Sequence, residues 1–182
     1  MIDVTPSDGH TPLVIALDNR YELTSPENGV FFDLDADGNP DRAAWPRDGS
    51  VAFLFNDRNG NGVPDDGAEL FGNHTRLASG LNAAHGFESL GEFDTNGDGA
   101  VTPADAGWTR LGLWQDFDHD GSAAPSELTR LDVHDIVSLS VVHHWTGRRD
   151  VHGNILRWQS SVVHAGTGPR PYYDVYLRTR VP

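Results

Sequence analysis

The sequence contains no cysteine and no lysine, and each absence narrows what the protein can do. Without cysteine it has no disulfides, thiolate metal sites or cysteine nucleophiles, and the redox compartment stays open. Without lysine, all 13 basic residues are arginine, and 27 aspartates and glutamates oppose them. The formal net charge of −14 argues against a nucleic-acid partner, because binding a phosphate backbone needs a basic surface.

Long hydrophobic runs are also missing. No apolar run approaches the roughly 18 residues of a membrane span, and Met1 is not followed by a basic and then apolar signal region. We therefore expect a soluble protein with no membrane span, either a domain of a longer chain or one exported without a cleavable N-terminal signal. The sequence also has no nucleophile elbow, phosphate-binding glycine loop or other catalytic constellation, so we expect no conventional enzyme activity.

The acidic residues that are present concentrate in four segments, where aspartate alternates with asparagine and glycine. A general excess of acid is often a solubility device, but here the acids are clustered rather than scattered. Alternating oxygen-bearing side chains are typical of loops that bind hard cations such as calcium. The sequence therefore predicts about four Ca²⁺ ions.

The strongest segment is 116–127, which fits the calcium loop D-x-D-x-D-G-x5-E at every fixed position. Gly121 allows the sharp turn that wraps the chain around an ion, and the closing glutamate is expected to bind bidentately. The predicted ligands are Asp116, Asp118, Asp120, the backbone carbonyl of Ser122, and Glu127.

The segment 94–105 repeats the pattern but ends in aspartate instead of glutamate. Aspartate is one methylene shorter, so this site is expected to be weaker or more tolerant of magnesium. Asp105 also fits the first turn of a helix capped by Thr102, a role compatible with metal binding. The predicted ligands are Asp94, Asn96, Asp98, the backbone carbonyl of Ala100, and Asp105.

The segment beginning at Asp57 departs from a standard EF-hand because its glutamate falls one place late. A lengthened loop would bring Glu69 round to the ion, with Asp66 as a competitor, and the alternative is an Asn-Gly turn without metal. The predicted ligands are Asp57, Asn59, Asn61, the backbone carbonyl of Val63, Asp65 and Glu69.

The segment beginning at Asp33 has no acid at its twelfth position, and Asp48 is a candidate to complete the shell. Its three alternating carboxylates would repel each other strongly without a cation, which is difficult to explain as turn chemistry alone. The predicted ligands are Asp33, Asp35, Asp37, the backbone carbonyl of Asn39, and Asp41.

For the fold, the sequence predicts an α+β domain. Phe87, Leu90 and Phe93 lie at helical spacing before the loop at 94, and Trp108, Leu111 and Trp114 or Gln115 follow it at similar spacing. We expect an N-terminal arm at 1–12 and a single calcium-binding domain at 13–182. Its parts are short strands with two irregular calcium loops at 13–80, an EF-hand-like helix-loop-helix pair at 81–131, and a C-terminal antiparallel sheet at 132–182.

Several of these segments together resemble a known family, the calcium-binding self-processing modules of large secreted RTX-type repeat proteins of Gram-negative bacteria. The similar segments are TPLVIALD, FFDLDADGNPDRAAW, NDRNGNGVPDDGAELFGNHT, HGFESLGEFDTNGDGAVTPAD and GLWQDFDHDGSAAPSEL, with GRRDVHGNILR and DVYL near the end. The resemblance implies a chain that is loose in the low-calcium cytoplasm, is exported, and folds at roughly millimolar calcium outside the cell. Its partners would be calcium ions and the remainder of a larger secreted protein.

Self-processing members of that family cleave an Asp-Pro bond through an aspartyl anhydride, which a lysine amine can capture. The corresponding position here is Thr11-Pro12, and the sequence contains neither an Asp-Pro pair nor a lysine. Because threonine cannot form the cyclic anhydride, we expect a calcium scaffold without the cleavage.

Two other functional hypotheses compete with a calcium-folding module. One is a docking module. Paired calcium loops are also similar to dockerins, which would make Trp108, Trp114 and Trp145 a docking surface, although aromatic residues at helical spacing usually form core. The other is a zinc site at His143 and His144 with His134 or His152, but adjacent strand residues point to opposite faces, so scattered surface or packed histidines are the better interpretation.

Overall fold

The computed structural model describes residues 9–180 and is built almost entirely of β-strands. Within that range it has twelve strands and one short α-helix, α1, at Gly86–Gly91. The strands are β1 Leu13–Ala16, β2 Val30–Phe32, β3 Asp41–Ala43, β4 Val51–Asn56, β5 Ala100–Val101, β6 Leu111–Trp114, β7 Leu128–Arg130, β8 Ile136–Ser140, β9 His144–Arg149, β10 Ile155–His164, β11 Gly168–Tyr176 and β12 Thr179–Arg180. Short 3₁₀ turns lie at Pro26–Asn28, Trp108–Arg110, Pro125–Glu127 and Leu131–His134.

The strands form two antiparallel sheets. The larger has the order β5-β8-β10-β11-β1-β4-β6-β7, and β9 pairs with the first half of β10 on the edge where β8 pairs with the second half. The smaller has the order β12-β3-β2. Strands from all three predicted parts of the chain therefore lie in the larger sheet.

The central strands of the larger sheet are buried on both faces. Along β1, Leu13 and Ile15 belong to one hydrophobic core, and Val14 and Ala16 belong to the other, as the two-residue period of a strand requires. Helix α1 contributes to the first core, and the smaller sheet covers the second. The second core contains Trp45 and Trp114, both fully buried, with ring centroids 5.5 Å apart.

The predicted α+β fold with a central helix-loop-helix pair is wrong. Phe87 and Leu90 do lie buried on a helix, but α1 has only six residues. The segment after the loop at 94, predicted as helix from Trp108 to Trp114, is a 3₁₀ turn followed by strand β6. The loop at 116 likewise leads into a 3₁₀ turn at Pro125–Glu127 and then strand β7.

The physical reason for this error is that β6 is buried on both faces. Leu111 and Leu113 lie in the first core and Trp114 in the second, so the strand shows no polar face. A short apolar run of this kind cannot be told from a buried helix by periodicity alone.

Residues 1–8 of the predicted arm at 1–12 lie outside the described range. The remainder of that segment joins the domain, because the backbone carbonyls of His10 and Pro12 accept hydrogen bonds from Leu177 and Val175. Within 9–180, no helix is long and apolar enough to cross a membrane.

Candidate metal centres

All four acidic loops share one hydrogen bond that shapes the turn. In each, Oδ2 of the first aspartate accepts the backbone N–H of the glycine five residues later, at 2.8 to 3.0 Å. The pairs are Asp33 with Gly38, Asp57 with Gly62, Asp94 with Gly99, and Asp116 with Gly121. The segments are therefore four copies of one structural motif, including the two that depart from the standard sequence pattern.

A second shared bond holds the fifth loop position. Its side-chain Oδ1 accepts the backbone N–H two residues later, at 2.7 to 3.0 Å, in every loop. The pairs are Asp37 with Asn39, Asn61 with Val63, Asp98 with Ala100, and Asp120 with Ser122. A carboxylate or amide oxygen has two lone pairs, so one that accepts an N–H keeps another for a cation.

Three loops are closed by an acid that folds back onto their start. Glu69 accepts the N–H groups of Arg58 and Asn59, Asp105 accepts that of Thr95, and Glu127 accepts that of Phe117. All three closing acids are buried. Glu69 reaches the second loop position although it falls one place late in sequence, whereas its competitor Asp66 accepts a local bond from Ala68.

The loop at 57 also joins its polar side chains directly. The amide groups of Asn59 and Asn61 both donate to Oδ2 of Asp65, at 2.8 and 2.6 Å. The structure thus brings together Asn59, Asn61 and Asp65, three of the side chains predicted for this site.

The loop at 116 is anchored to the second core by two tryptophans. The indole N–H of Trp45 donates to Oδ2 of Asp116 at 2.7 Å, and that of Trp114 donates to Oε2 of Glu127 at 3.4 Å. Carboxylate oxygens of Asp116, Asp118 and Glu127 lie within 4.8 Å of one another. Such a group can hold a divalent cation through oxygen atoms alone.

The loop at 33 also gathers carboxylates but lacks a closing acid. Oxygens of Asp33, Asp35 and Asp37 lie within 4.8 Å of one another. Asp48 does not join them, because it accepts the N–H of Ser50 and lies near Asp18 and Arg20. Asp41, at the start of β3, groups with Asp35 and His10 instead.

The electrostatics differ between the loops. Desolvation, followed by the carboxylates of Asp120, Glu127 and Asp116, raises the pKa of Asp118 above its ordinary value. In the loop at 94, hydrogen bonds from Thr102 and Thr95 lower the pKa of Asp105 to about 2. A crowded carboxylate such as Asp118 favours a bound cation, while Asp105 stays ionised through its own hydrogen bonds.

The Thr11-Pro12 peptide is held by an amide side chain. Thr11 is buried, and both its backbone N–H and its hydroxyl donate to Oδ1 of Asn73, at 2.9 and 3.3 Å. Asn73 in turn donates to the backbone carbonyl of Gly9 at 2.6 Å.

Sequence reasoning missed His10, His74 and Trp45 as neighbours of the loops. Nδ1 of His10 lies 3.2 Å from Nε2 of His74, 64 residues away in sequence. Trp45 and Asp116 are 71 residues apart. No local pattern marks such contacts, because they depend on how the sheets pair.

The fold and the loops together define a β-sheet domain that presents four acidic, oxygen-rich turns suited to hard cations. A family model described as the SPM domain matches residues 13–178, and the chain belongs to this SPM domain family. The chain is also 38% identical over 155 residues to the iron-regulated protein FrpA of Neisseria meningitidis serogroup C. That match covers 84% of this chain but only 14% of the relative, so the chain spans a small part of that protein's length.

Proposed function

We propose that the protein is a secreted calcium-binding module whose folding is driven by calcium at the four acidic loops. The observation that carries this proposal is the hydrogen bond from the sixth-position glycine to the first aspartate, repeated in every loop. It curls each turn, and in the loops at 33 and 116 three carboxylates also place oxygens within 4.8 Å of one another, an arrangement that supports binding of an oxygen-ligated cation.

The charge of the chain supports a folding role for the metal. Four divalent ions add eight positive charges to a formal net charge of −14 and relieve much of the self-repulsion that expands the metal-free chain. Extracellular calcium modules bind with Kd values of about 10⁻⁴ to 10⁻³ M, so calcium at about 10⁻³ M, roughly one to ten times Kd, adds roughly 0.4–1.4 kcal/mol per site. Calcium at those concentrations is found outside cells, which is why we assign the module to the extracellular space.

We further propose that this module has no self-processing activity and no conventional enzyme activity. Thr11 stands where the self-processing modules that this sequence resembles carry the reactive aspartate. Its hydroxyl and backbone N–H are both engaged by Asn73. The partners are then calcium ions and the remainder of a larger secreted protein.

The test is a calcium titration of chelator-treated protein, followed by circular dichroism and by gel electrophoresis of the same samples. We expect a cooperative gain of β-structure with an intact band, and a much smaller response to magnesium. The absence of any structural response would refute calcium-driven folding, and a calcium-dependent shorter band would refute the absence of self-processing.

Two variants test whether the structural response to calcium comes from the loops or from net charge. Glu127→Gln removes a buried closing carboxylate and is expected to raise the calcium midpoint at least tenfold. Glu22→Gln removes the same charge from an exposed side chain paired with Arg47, and is expected to leave the midpoint unchanged. Equal shifts in both variants would show that net charge, not the loops, controls the response.

A further inference from the structure

His10 is a buried histidine that none of the calcium ligand sets uses. It precedes β1, is only 7% exposed, and its backbone carbonyl is fixed by the N–H of Leu177 at 3.1 Å. The imidazole lies between His74 and the loop that begins at Asp33. Because polar atoms of buried side chains normally have a bonding partner, both ring nitrogens of His10 are expected to have one.

The two nitrogens of His10 face different partners. Nδ1 lies 3.2 Å from Nε2 of His74, a hydrogen-bond distance, so one ring donates and the other accepts. Nε2 faces Oδ2 of Asp41 at 3.8 Å, too long for a hydrogen bond. One ligand atom from each of His10, Asp35 and Asp41 lies within 4.8 Å of the others.

The distances between the ligand atoms of His10, Asp35 and Asp41 suit coordination of one metal ion better than direct hydrogen bonds. Two ligand atoms bound at about 2.1 Å across a tetrahedral angle are about 3.4 Å apart. Asp41 is therefore placed where a small movement would let it and Nε2 of His10 bind one ion. The ring N–H at Nδ1 would then donate to His74, and an outer partner of this kind is what orients most metal-bound imidazoles.

The donor set selects the type of metal. Calcium and magnesium take oxygen ligands, whereas an imidazole with carboxylates suits zinc and its first-row neighbours. We propose that His10, Asp35 and Asp41 form a site for a divalent transition-metal ion such as Zn²⁺, with His74 as the residue that positions His10.

This site is distinct from the calcium loop beside it. The carboxylates that come together in that loop are Asp33, Asp35 and Asp37, and of these Asp35 also belongs to the new site. Asp41, predicted from sequence as a further calcium ligand, lies with His10 and Asp35 instead. A carboxylate has two oxygens and can bridge two ions, which would couple the sites. A bound transition metal would tie the segment before β1 to the loop between β2 and β3.

The experiment uses Co²⁺ as a spectroscopic probe of the whole chain in excess calcium, which keeps the oxygen-only loops occupied. We expect one Co²⁺ per chain, visible absorption bands of nitrogen and oxygen coordination, and full displacement of these bands by Zn²⁺. Absence of the bands, or bands unaffected by Zn²⁺, would overturn the proposal. A parallel titration without calcium separates this result from the calcium proposal, because it reports whether folding itself needs calcium.

Two variants test proposed ligands, a third tests the positioning residue, and a fourth is the control. His10→Ala and Asp41→Asn are each expected to abolish the bands, and Asp41→Asn serves if His10→Ala does not fold, as checked by circular dichroism. His74→Ala is expected to keep the bands with about 10- to 100-fold weaker affinity. The matched control is His144→Ala, an exposed histidine on β9, which should change nothing.

A further variant separates the two neighbouring sites. Asp37→Asn alters the calcium group and should leave the Co²⁺ bands in place. Bands that survive in His10→Ala, or that disappear in His144→Ala, would place the metal elsewhere and overturn the proposal.

Discussion

The fourth residue of each acidic loop adopts a left-handed backbone conformation. Glycine occupies this position in the loops at 57 and 94, as Gly60 and Gly97 with φ of 80° and 72°. Ala36 and His119 occupy it in the other two loops, with φ of 57° and 60°. A residue with a Cβ pays roughly 1–2 kcal/mol for this conformation, so these two loops hold local strain.

Ala36→Gly is therefore expected to stabilise the protein by roughly 0.5–1 kcal/mol in excess calcium, because relief of strain exceeds the entropy that glycine adds to the unfolded chain. Gly97→Ala should destabilise it by a similar amount. Urea denaturation measures both effects. Ala104→Gly, at an exposed position outside the left-handed region, is the control and should lose about 0.5–1 kcal/mol. A loss of stability in Ala36→Gly equal to that of the control would rule out strain at this position.

Asp174 is a fully buried carboxyl on β11, next to β1. Oδ2 accepts the N–H of Gly86 at 2.5 Å, and Oδ1 has no hydrogen-bond partner. Burial raises the pKa of Asp174 from its ordinary value of 3.8 to about 7, against the smaller lowering effect of Gly86. The group therefore binds a proton more tightly in the folded chain than in the unfolded one.

The sign of the pH dependence follows from this difference. Between pH 4 and 7 the folded chain keeps a proton at Asp174 that the unfolded chain has lost, so this group's contribution to stability falls as pH rises through that window. The total difference is on the order of 4 kcal/mol. Asp174→Asn cannot titrate at this position. Relative to the wild type, its free energy of unfolding should therefore increase from pH 4 to 7, and the difference between the two curves should be constant above pH 7. Parallel curves throughout would contradict a raised pKa.

At the scale of secondary-structure elements, the fold depends on whether Leu111–Trp114 forms a strand, as β6, or part of a helix. Gly112 lies in this strand, where an added Cβ would come within 2.5 Å of the ring of Phe55. Phe55 lies on β4, the neighbouring strand, and is itself buried. The close approach exists only if the segment is a strand paired with β4.

Gly112→Ala distinguishes the strand from the helix that periodicity predicts. In a helix, alanine would stabilise by about 1 kcal/mol relative to glycine. In the strand, the methyl group should collide with Phe55 and destabilise the protein by roughly 1–3 kcal/mol. Gly91→Ala is the matched control, because Gly91 ends α1 and has open space around its Cα. Alanine there should stabilise by about 0.5–1 kcal/mol. Thermal unfolding of the two variants compares the signs directly.

The loops could be predicted from sequence because the interactions that shape them are local. The bond from Gly121 to Asp116 spans five residues, and the same spacing recurs in all four segments. The lengthened loop at 57 departs from this regularity, since Glu69 accepts the N–H of Arg58 from eleven residues away, whereas Glu127 accepts that of Phe117 from ten. The elements around the loops could not be predicted, because β6 gains its conformation from pairing with β4 and β7. The pairing of His10 with His74 was inaccessible for the same reason.

At the scale of the whole molecule, charge and packing oppose each other. The chain buries two hydrophobic cores, one on each face of the larger sheet, yet its full sequence has a formal net charge of −14. Among the described residues, the arginine–carboxylate pairs lie on exposed side chains, where solvent screening leaves them little effect on stability. The acids in the loops are the concentrated part of that charge, so their neutralisation should decide whether the chain is compact.

Small-angle X-ray scattering tests this balance. For 182 residues, a compact chain has a radius of gyration of about 16 Å and an unfolded chain about 45 Å. We expect calcium to bring the chelator-treated protein to the compact value, because it binds specific oxygens as well as reducing charge. Sodium chloride at high ionic strength screens the same repulsion without filling the loops and should compact the chain only in part. If salt alone produced the full compaction, general repulsion would be sufficient to explain the expansion, and the loops would not be the elements that couple metal to folding.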